Sequence, residues 1–297
     1  MTTATASGAP ARAQAPIGVI GLGFMGGAIS GRLRAAGFAV VGYDLDPGRL
    51  AQSAAAGVVP AASIAALARD CHTIVLAVHT MAQVGDALQA CLGHAARTVL
   101  CTSTCEPRPV AALAARAAQA GVDFVEFPIS GTSAQVAAGD AVGLLSGARD
   151  AIAACAPVIA AICPRHIVVG APGDAARAKL AINLVLQLNR CALAEGLVFA
   201  ERLGLDTTAF LATLRASAAY SQVMDTKGEK MLRQDYAPQS KIAQTLKDAE
   251  LMLQEAAALR QGLPLLQANA QLLRECVAED GARDSAAVIE AIRRRRA

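Results

Sequence analysis

The sequence predicts an α/β fold, with a doubly wound parallel sheet in its N-terminal part and an all-α C-terminal domain. Three observations carry that expectation. Short apolar runs alternate with Ala-rich helical segments as far as about residue 170, the order expected when strands are joined by crossover helices. Beyond Pro172 the strand-like runs stop and only helical periodicity remains. Between the first strand and the first helix lies a turn built on Gly21, Gly23 and Gly26.

Taken in order, Ile17–Ile20 is an apolar run that ends in glycine, and residues 25–36 carry Ile29 and Leu33 on one helical face before Gly37 stops them. Further strands are expected at 38–43, 73–78, 98–101, 122–126 and 141–145. A long helix over 175–203 is apolar on nearly every side, with Leu180, Leu184, Leu188, Leu193 and Leu197 as candidates for burial. Such a helix has to be enclosed. Helical segments at 208–215, 221–233, 240–261 and 264–279 follow. The expected division is a loose tail over 1–15, a dinucleotide-binding domain over 16–174 and an all-helical domain over 175–297.

Composition narrows the class. With 54% hydrophobic and 17% charged residues in 297, the chain is too apolar for disorder and long enough for about two domains. No uninterrupted apolar run approaches the roughly 18 residues of a membrane span. The net charge is +3, but Arg293, Arg294, Arg295 and Arg296 supply four positive charges at one end. The remainder is slightly acidic, which argues against a nucleic-acid surface. Eight cysteines are too sparse for a disulfide scaffold, and Cys101 and Cys105 have no accompanying histidine pattern. We therefore expect no metal site and reduced thiols in a cytoplasmic protein. Residues 1–15 lack the apolar stretch of a secretory signal.

The turn reads Gly21-Leu22-Gly23-Phe24-Met25-Gly26, between a strand and a helix. Glycines there permit a tight turn and let a pyrophosphate approach the helix N-terminus, where free N–H groups and the helix dipole favour an anion. Asp44 follows Gly26 by 18 positions, at the end of the next strand. A carboxylate there accepts from a ribose hydroxyl and repels a 2′-phosphate, so this Rossmann-type unit favours NAD. Arg49 stands close enough in sequence to keep NADP as the alternative.

Four later segments complete the pattern: Cys101-Thr-Ser-Thr104-Cys-Glu-Pro107, Pro128-Ile-Ser130-Gly131-Thr132, Gly173 through Lys179 to Asn183, and Lys247-Asp248. With the glycine turn they resemble the DxSTxxP, PVSGG, GxGxxxKxxNN and KD motifs of the β-hydroxyacid dehydrogenase family, which includes 3-hydroxyisobutyrate dehydrogenase and tartronate semialdehyde reductase. The resemblance runs from Ile17 to about residue 280. It implies reversible hydride transfer between NAD(P) and a short hydroxy acid or aldehyde acid. Oxidising an alcohol needs a group to take the hydroxyl proton, and a lysine can do so once desolvation lowers its pKa. Lys179, at the start of an apolar helix, is the candidate, with Asn183 one turn later on the same face. Ser130, Gly131 and Thr132 are expected at the substrate carboxylate, where a hydroxyl and free N–H groups make an anion-binding concavity. Thr104 and Lys247 are the remaining cofactor contacts that the resemblance implies, and Val78 and His79, at the end of the strand expected at 73–78, are further candidates on the cofactor side.

Departures from the family pattern bear on the substrate. Cys101 stands for Asp, His79 for Pro, Thr132 for Gly, Ala175 for Gly, Ile182 for Asn and Ser240 for a pocket Phe. Thr132 adds a methyl and a hydroxyl beside the carboxylate site, and Ser240 leaves the far side of the pocket larger and more polar. Tyr220 and Ser221 are further pocket candidates. Two other readings are an imine reductase, which is expected to replace the lysine, and a dinucleotide-binding interaction protein without turnover. The apolar long helix also predicts a homodimer or homotetramer, with 175–203 and 240–261 at or beneath the interface.

Overall fold

A computed structural model describes residues 15–295. Most of the expected tail and Arg296 lie outside the described residues. Nine strands form one sheet: β1 (Ile17–Ile20), β2 (Val40–Tyr43), β3 (Val59–Pro60), β4 (Thr73–Leu76), β5 (Thr98–Cys101), β6 (Asp123–Glu126), β7 (Ile129–Ser130), β8 (Val142–Ser146) and β9 (Arg165–Gly170). Their order is β3-β2-β1-β4-β5-β6-β8-β7, with β9 paired to β8. From β3 to β6 every pairing is parallel.

The expected doubly wound parallel sheet is present, and it is extended by β8, which runs antiparallel to β6 through Glu126 and Ser146 and antiparallel to β7. A parallel return needs a crossover of a dozen or more residues. Here the short helix Ser133–Ala138 ends at Gly139 with φ 78°, and the chain turns straight back. The strands β3, β7 and β9 were not expected. β3 and β7 are two residues long, and β9 is largely exposed.

Alternation along the central strands fills both faces. Val19, Val75, Leu100 and Val125 belong to one buried cluster, while Ile20, Ile74, Leu76, Val99 and Phe124 belong to the other. This is the period-two pattern of a sheet covered on both sides.

The long helix spans Asp174–Arg202 and buries Leu180, Leu193 and Leu197 against Leu211, Met231, Ile242, Leu266 and Leu273 of the helices around it. Those helices include Thr207–Ala216, Ile242–Ala258 and Pro264–Asp280. By length and composition Asp174–Arg202 would suffice to cross a membrane. The uninterrupted-run criterion missed this because Lys179, Asn183 and Arg190 break the run, and all three are buried in the fold. Complete enclosure is not observed: Leu184 is only partly buried, and Ile182 and Val185 are 38% and 58% exposed.

Its N-terminus is tied to the sheet. Glu126, buried at the end of β6, accepts from Gly173 N through Oε1 and from Ala176 N through Oε2 at 3.0 Å. Ser146 Oγ donates to Glu126 Oε1 at 2.8 Å and accepts from Ala175 N at 3.3 Å, and Asp174 N donates to Ala171 O. The helix-terminal donors, which have no partner within the helix, are thereby satisfied by the neighbouring strands and loop.

The segment 221–233 is not one α-helix. Met224–Gly228 forms a π-helical turn before the short helix Glu229–Arg233. The turn carries Lys227 inward to Asp284, with Nζ at 2.7 and 2.9 Å from the two carboxylate oxygens and both side chains at most 2% exposed. Asp284 also accepts from Gln239, Ser240 and Ala286 N–H groups, and it leads into the unexpected last helix, Val288–Arg294. Asp284→Ala leaves a buried ammonium uncompensated, and urea denaturation is expected to show a loss of about 3–5 kcal/mol. The double variant with Lys227→Met should recover part of that loss.

Candidate active site

The strand order reverses between β1 and β4, and the crevice beyond the carboxyl ends of such strands is where open α/β sheets bind ligands. A cleft of ≈1420 Å³ opens there and continues to the helical domain. That exceeds the roughly 300–1,000 Å³ of an ordinary small-molecule pocket, leaving room for a dinucleotide and a small second ligand.

The glycine turn forms one wall. Gly21 has φ +91°, and a Cβ there would stand 2.5 Å from the Ala77 carbonyl oxygen; one on Gly26 would enter the Gly21 carbonyl. Gly23 begins the helix Phe24–Ala35 with no side chain capping it, and Gly21, Leu22, Gly23, Phe24 and Met25 line the cleft. An uncapped helix start beside a cradle that side chains would fill suits a pyrophosphate.

Asp44 follows β2. Its Oδ2 accepts from Leu22 N at 2.6 Å and its Oδ1 from Asp46 N at 2.9 Å, so part of its acceptor capacity holds the turn itself. Arg49 lies between two carboxylates, 3.8 Å from Asp44 and 3.4 Å from Asp46.

Val78 and His79 follow β4. Ser103 Oγ donates to Val78 O at 2.8 Å and accepts from Val78 N at 3.2 Å. Partial burial, then the cations Arg49, Lys241 and Lys247, hold the His79 imidazolium pKa below its ordinary value. Lys247 reaches across from the helix Ile242–Ala258, donating to His79 O at 3.2 Å and Thr104 O at 3.1 Å. One ammonium thus joins two cofactor-side loops to the helical domain.

Lys179 is 6% exposed, and its Nζ donates to Ile129 O at 2.8 Å. Burial pushes its pKa down to about 8, against the opposing influence of the Asp248 carboxylate. Asn183 Nδ2 donates to Asp248 Oδ2 at 3.1 Å, and Gln244 Nε2 donates to Oδ1 at 3.3 Å. Burial in turn raises the Asp248 pKa. Ser130 and Gly131, which follow Ile129 in the chain, line the same cleft, and Gly131 has φ +151° with no space for a Cβ beside Ala141.

Thr132 lines the cleft and has a structural task as well. Its hydroxyl accepts from Gln135 N at 3.2 Å and its N–H donates to Gln135 Oε1 at 2.8 Å. Those groups cap the helix Ser133–Ala138, so the hydroxyl is tied to local structure although the residue lines the cleft. Tyr220 is half exposed and donates to Asp225 at 2.7 Å; neither it nor Ser221 is among the residues that line the cleft, whereas Ser240 is. Sequence reasoning missed Glu126 and Arg190. It treated Asp248 only as a motif partner, although Asp248 anchors Asn183 from 65 positions away.

The sequence profile for the NAD binding domain of 6-phosphogluconate dehydrogenase matches residues 16–170. The profile described as NAD-binding of NADP-dependent 3-hydroxyisobutyrate dehydrogenase matches 173–292. L-threonate dehydrogenase of Cupriavidus necator is 32% identical, over 92% of this chain and 95% of its own. The chain belongs to the β-hydroxyacid dehydrogenase family. The crystal structure of 3-hydroxyisobutyrate dehydrogenase from Salmonella typhimurium superposes with a TM-score of 0.85 at 26% identity, covering 93% of this chain and 99% of its own. Mycobacterium tuberculosis 3-hydroxyisobutyrate dehydrogenase, determined with L-serine, gives 0.83 at 26%, covering 94% and 99%. Membership makes the protein an NAD(P)-dependent oxidoreductase.

Asp248 is the anion that holds the Lys179 pKa up against desolvation. Asp248→Asn is therefore expected to move the lysine's titration midpoint below about 8, read from its ε-carbon by NMR across pH. An unchanged or higher midpoint contradicts this.

Proposed function

We propose that the protein catalyses reversible NAD-dependent oxidation of a short 3-hydroxy acid of the 3-hydroxyisobutyrate or tartronate semialdehyde type. The observation that supports this reading best is the desolvated Lys179 ammonium beside Ser130 and Gly131 in the same cleft as the glycine turn. In its neutral form Lys179 accepts the hydroxyl proton, while the Ile129 carbonyl fixes where Nζ points. Asn183, steadied by Asp248, keeps its Oδ1 and one N–H for the substrate hydroxyl. Ser130 and the Gly131 backbone hold the carboxylate. The nicotinamide, when bound against Val78, His79 and Thr104, supplies the hydride acceptor or donor. An imine reductase reading is disfavoured by the lysine itself, and a protein without turnover leaves its desolvation without a use. The two-part division at residue 174 and a cytoplasmic location belong to the same reading.

Oxidation needs neutral lysine, so kcat/KM should rise about tenfold per pH unit below about 8 and level off above it; the reduction should show the opposite limb. Lys179→Ala should lower kcat by about 10²–10⁴-fold while NAD affinity, measured by fluorescence titration, stays nearly intact. A variant keeping more than about a third of the wild-type kcat defeats the assignment.

NAD is preferred over NADP because Arg49 already faces two carboxylates, leaving Asp44 to repel a 2′-phosphate. Asp44→Ala should shift the ratio of kcat/KM values toward NADP, and a wild type that already prefers NADP refutes the preference.

The assembly is a homodimer or homotetramer. Ile182 and Val185 form an exposed apolar stretch on the long helix, and obligate dimers cover such faces with about 2,000 Å² or more of buried surface. Light scattering at micromolar concentration should show at least twice the 30.2 kDa chain mass. A single species at the chain mass excludes it.

A further inference from the structure

Arg190 lies on the same face of the long helix as Lys179 and Asn183. Eleven and seven residues separate it from them, close to whole numbers of turns at about 3.6 residues each. The offset from Asn183 is about 10 Å along the axis, and a long helical side chain leans back toward the N-terminus, shortening that gap. Arg190 lines the cleft, is 7% exposed, and its Nε has no hydrogen-bond partner among the described residues.

Of the other charged groups that line this part of the cleft, Lys227 and Asp248 have partners and Lys241 is exposed to solvent. Lys227 is bonded to Asp284, which also holds three backbone N–H groups. Asp248 holds Asn183 and Gln244 and lies 3.6 Å from Lys247. Among the described residues, neither carboxylate forms an ion pair with Arg190. A buried guanidinium with an unpartnered donor is costly unless something completes it.

We infer that Arg190 is the second anion-binding point of the substrate cleft, and that the substrate is a 3-hydroxy dicarboxylate whose far carboxylate it binds. This rests on the reading of Lys179 and Ser130 above. With one carboxylate at Ser130 and Gly131 and the hydroxyl at Lys179 and Asn183, the chain of the acid runs along the helix toward Arg190. A planar guanidinium matches a carboxylate with paired N–H donors. A hydroxyl in that place leaves the cation uncompensated. A phosphate dianion is opposed by the fields of Asp284 and Asp248, both of which act on Arg190. Ser240 also lines the cleft and adds a small polar group to it. Gln187 does not compete for the anion, since its Nε2 donates to Thr245 O and its Oε1 accepts from Asn269.

The test compares 3-hydroxyglutarate, 3-hydroxybutyrate and L-threonate as substrates, with NAD, for the wild type and for Arg190→Gln. Calorimetry of glutarate and butyrate binding to the NAD-loaded protein accompanies it. The wild type should favour 3-hydroxyglutarate in kcat/KM by about tenfold or more. Arg190→Gln should remove that preference through KM, with kcat and 3-hydroxybutyrate turnover within about twofold. Unchanged 3-hydroxybutyrate turnover also shows that the variant is folded. Glutarate should bind more tightly than butyrate to the wild type and equally to the variant. The inference is overturned if 3-hydroxybutyrate or L-threonate is used as well as the dicarboxylate, or if the variant loses all substrates alike. If no acid is oxidised but glutarate binding still depends on Arg190, the subsite stands and the dehydrogenase reading falls.

Discussion

The arrangement of the cleft depends on one buried carboxylate. Glu126 ends a central strand and receives N–H groups from the first turn of the long helix together with the Ser146 hydroxyl. Hydrogen bonds to a charged acceptor contribute about 1.5–3 kcal/mol each, and a negative charge at a helix N-terminus is further favoured by the macrodipole. The larger consequence is geometric. Lys179 begins little more than one turn beyond those bonds, so its distance from the Ile129 carbonyl follows from where the sheet ends. If that anchor slipped, every side chain on the helix face would shift together relative to the glycine turn.

Charges along this face divide by whether they have partners. Lys227 and Lys247 meet carboxylates or backbone carbonyls, and each joins segments distant in sequence. Lys179 and Arg190 are just as deeply placed but have no contacting carboxylate. Desolvation therefore acts on them with little relief and lowers both pKa values. For the lysine this brings deprotonation within reach of neutral solution. The guanidinium remains charged, so its burial favours an anion beside it. On the readings proposed above, the same physical term produces a base at one point and a binding charge at the other.

The elements legible in the sequence were those with local signals. The strands at 17–20 and 98–101 came from continuous apolar runs, and the first helix from Ile29, Leu33 and the stop at Gly37. β9 was hidden because Ile167 and Val168 lie exposed among polar neighbours at the sheet edge, with no buried face to set a pattern. The π-turn was hidden because it depends on Lys227 finding Asp284, which is 57 positions away. The site shows the same limit. Lys179, Asn183 and the glycine turn lie in recognisable motifs, but Glu126 is an ordinary acidic residue at a strand end until the fold delivers a helix start to it. Arg190 reads as one polar interruption in an apolar helix, and only its depth and missing partner distinguish it from a charge that reaches solvent. Thr132 has a second use that its motif position does not show, because its hydroxyl oxygen caps a helix at Gln135 N while the residue lines the cleft.

The two halves contribute different kinds of chemistry to the cleft. The sheet side offers mainly backbone, from the uncapped helix after Gly23 to Gly131 and the Ile129 carbonyl, and backbone groups read the shape and charge common to a whole class of ligands. The helical side offers side chains, among them one stripe of cleft-lining residues at positions 179, 183, 187 and 190. A rigid stripe with a pitch of about 5.4 Å per turn can be altered one position at a time without moving the rest, because the helix start is fixed by Glu126. On the reading proposed above, substitution at 190 therefore changes what the far end of the cleft accepts, while the end around Lys179 keeps its geometry.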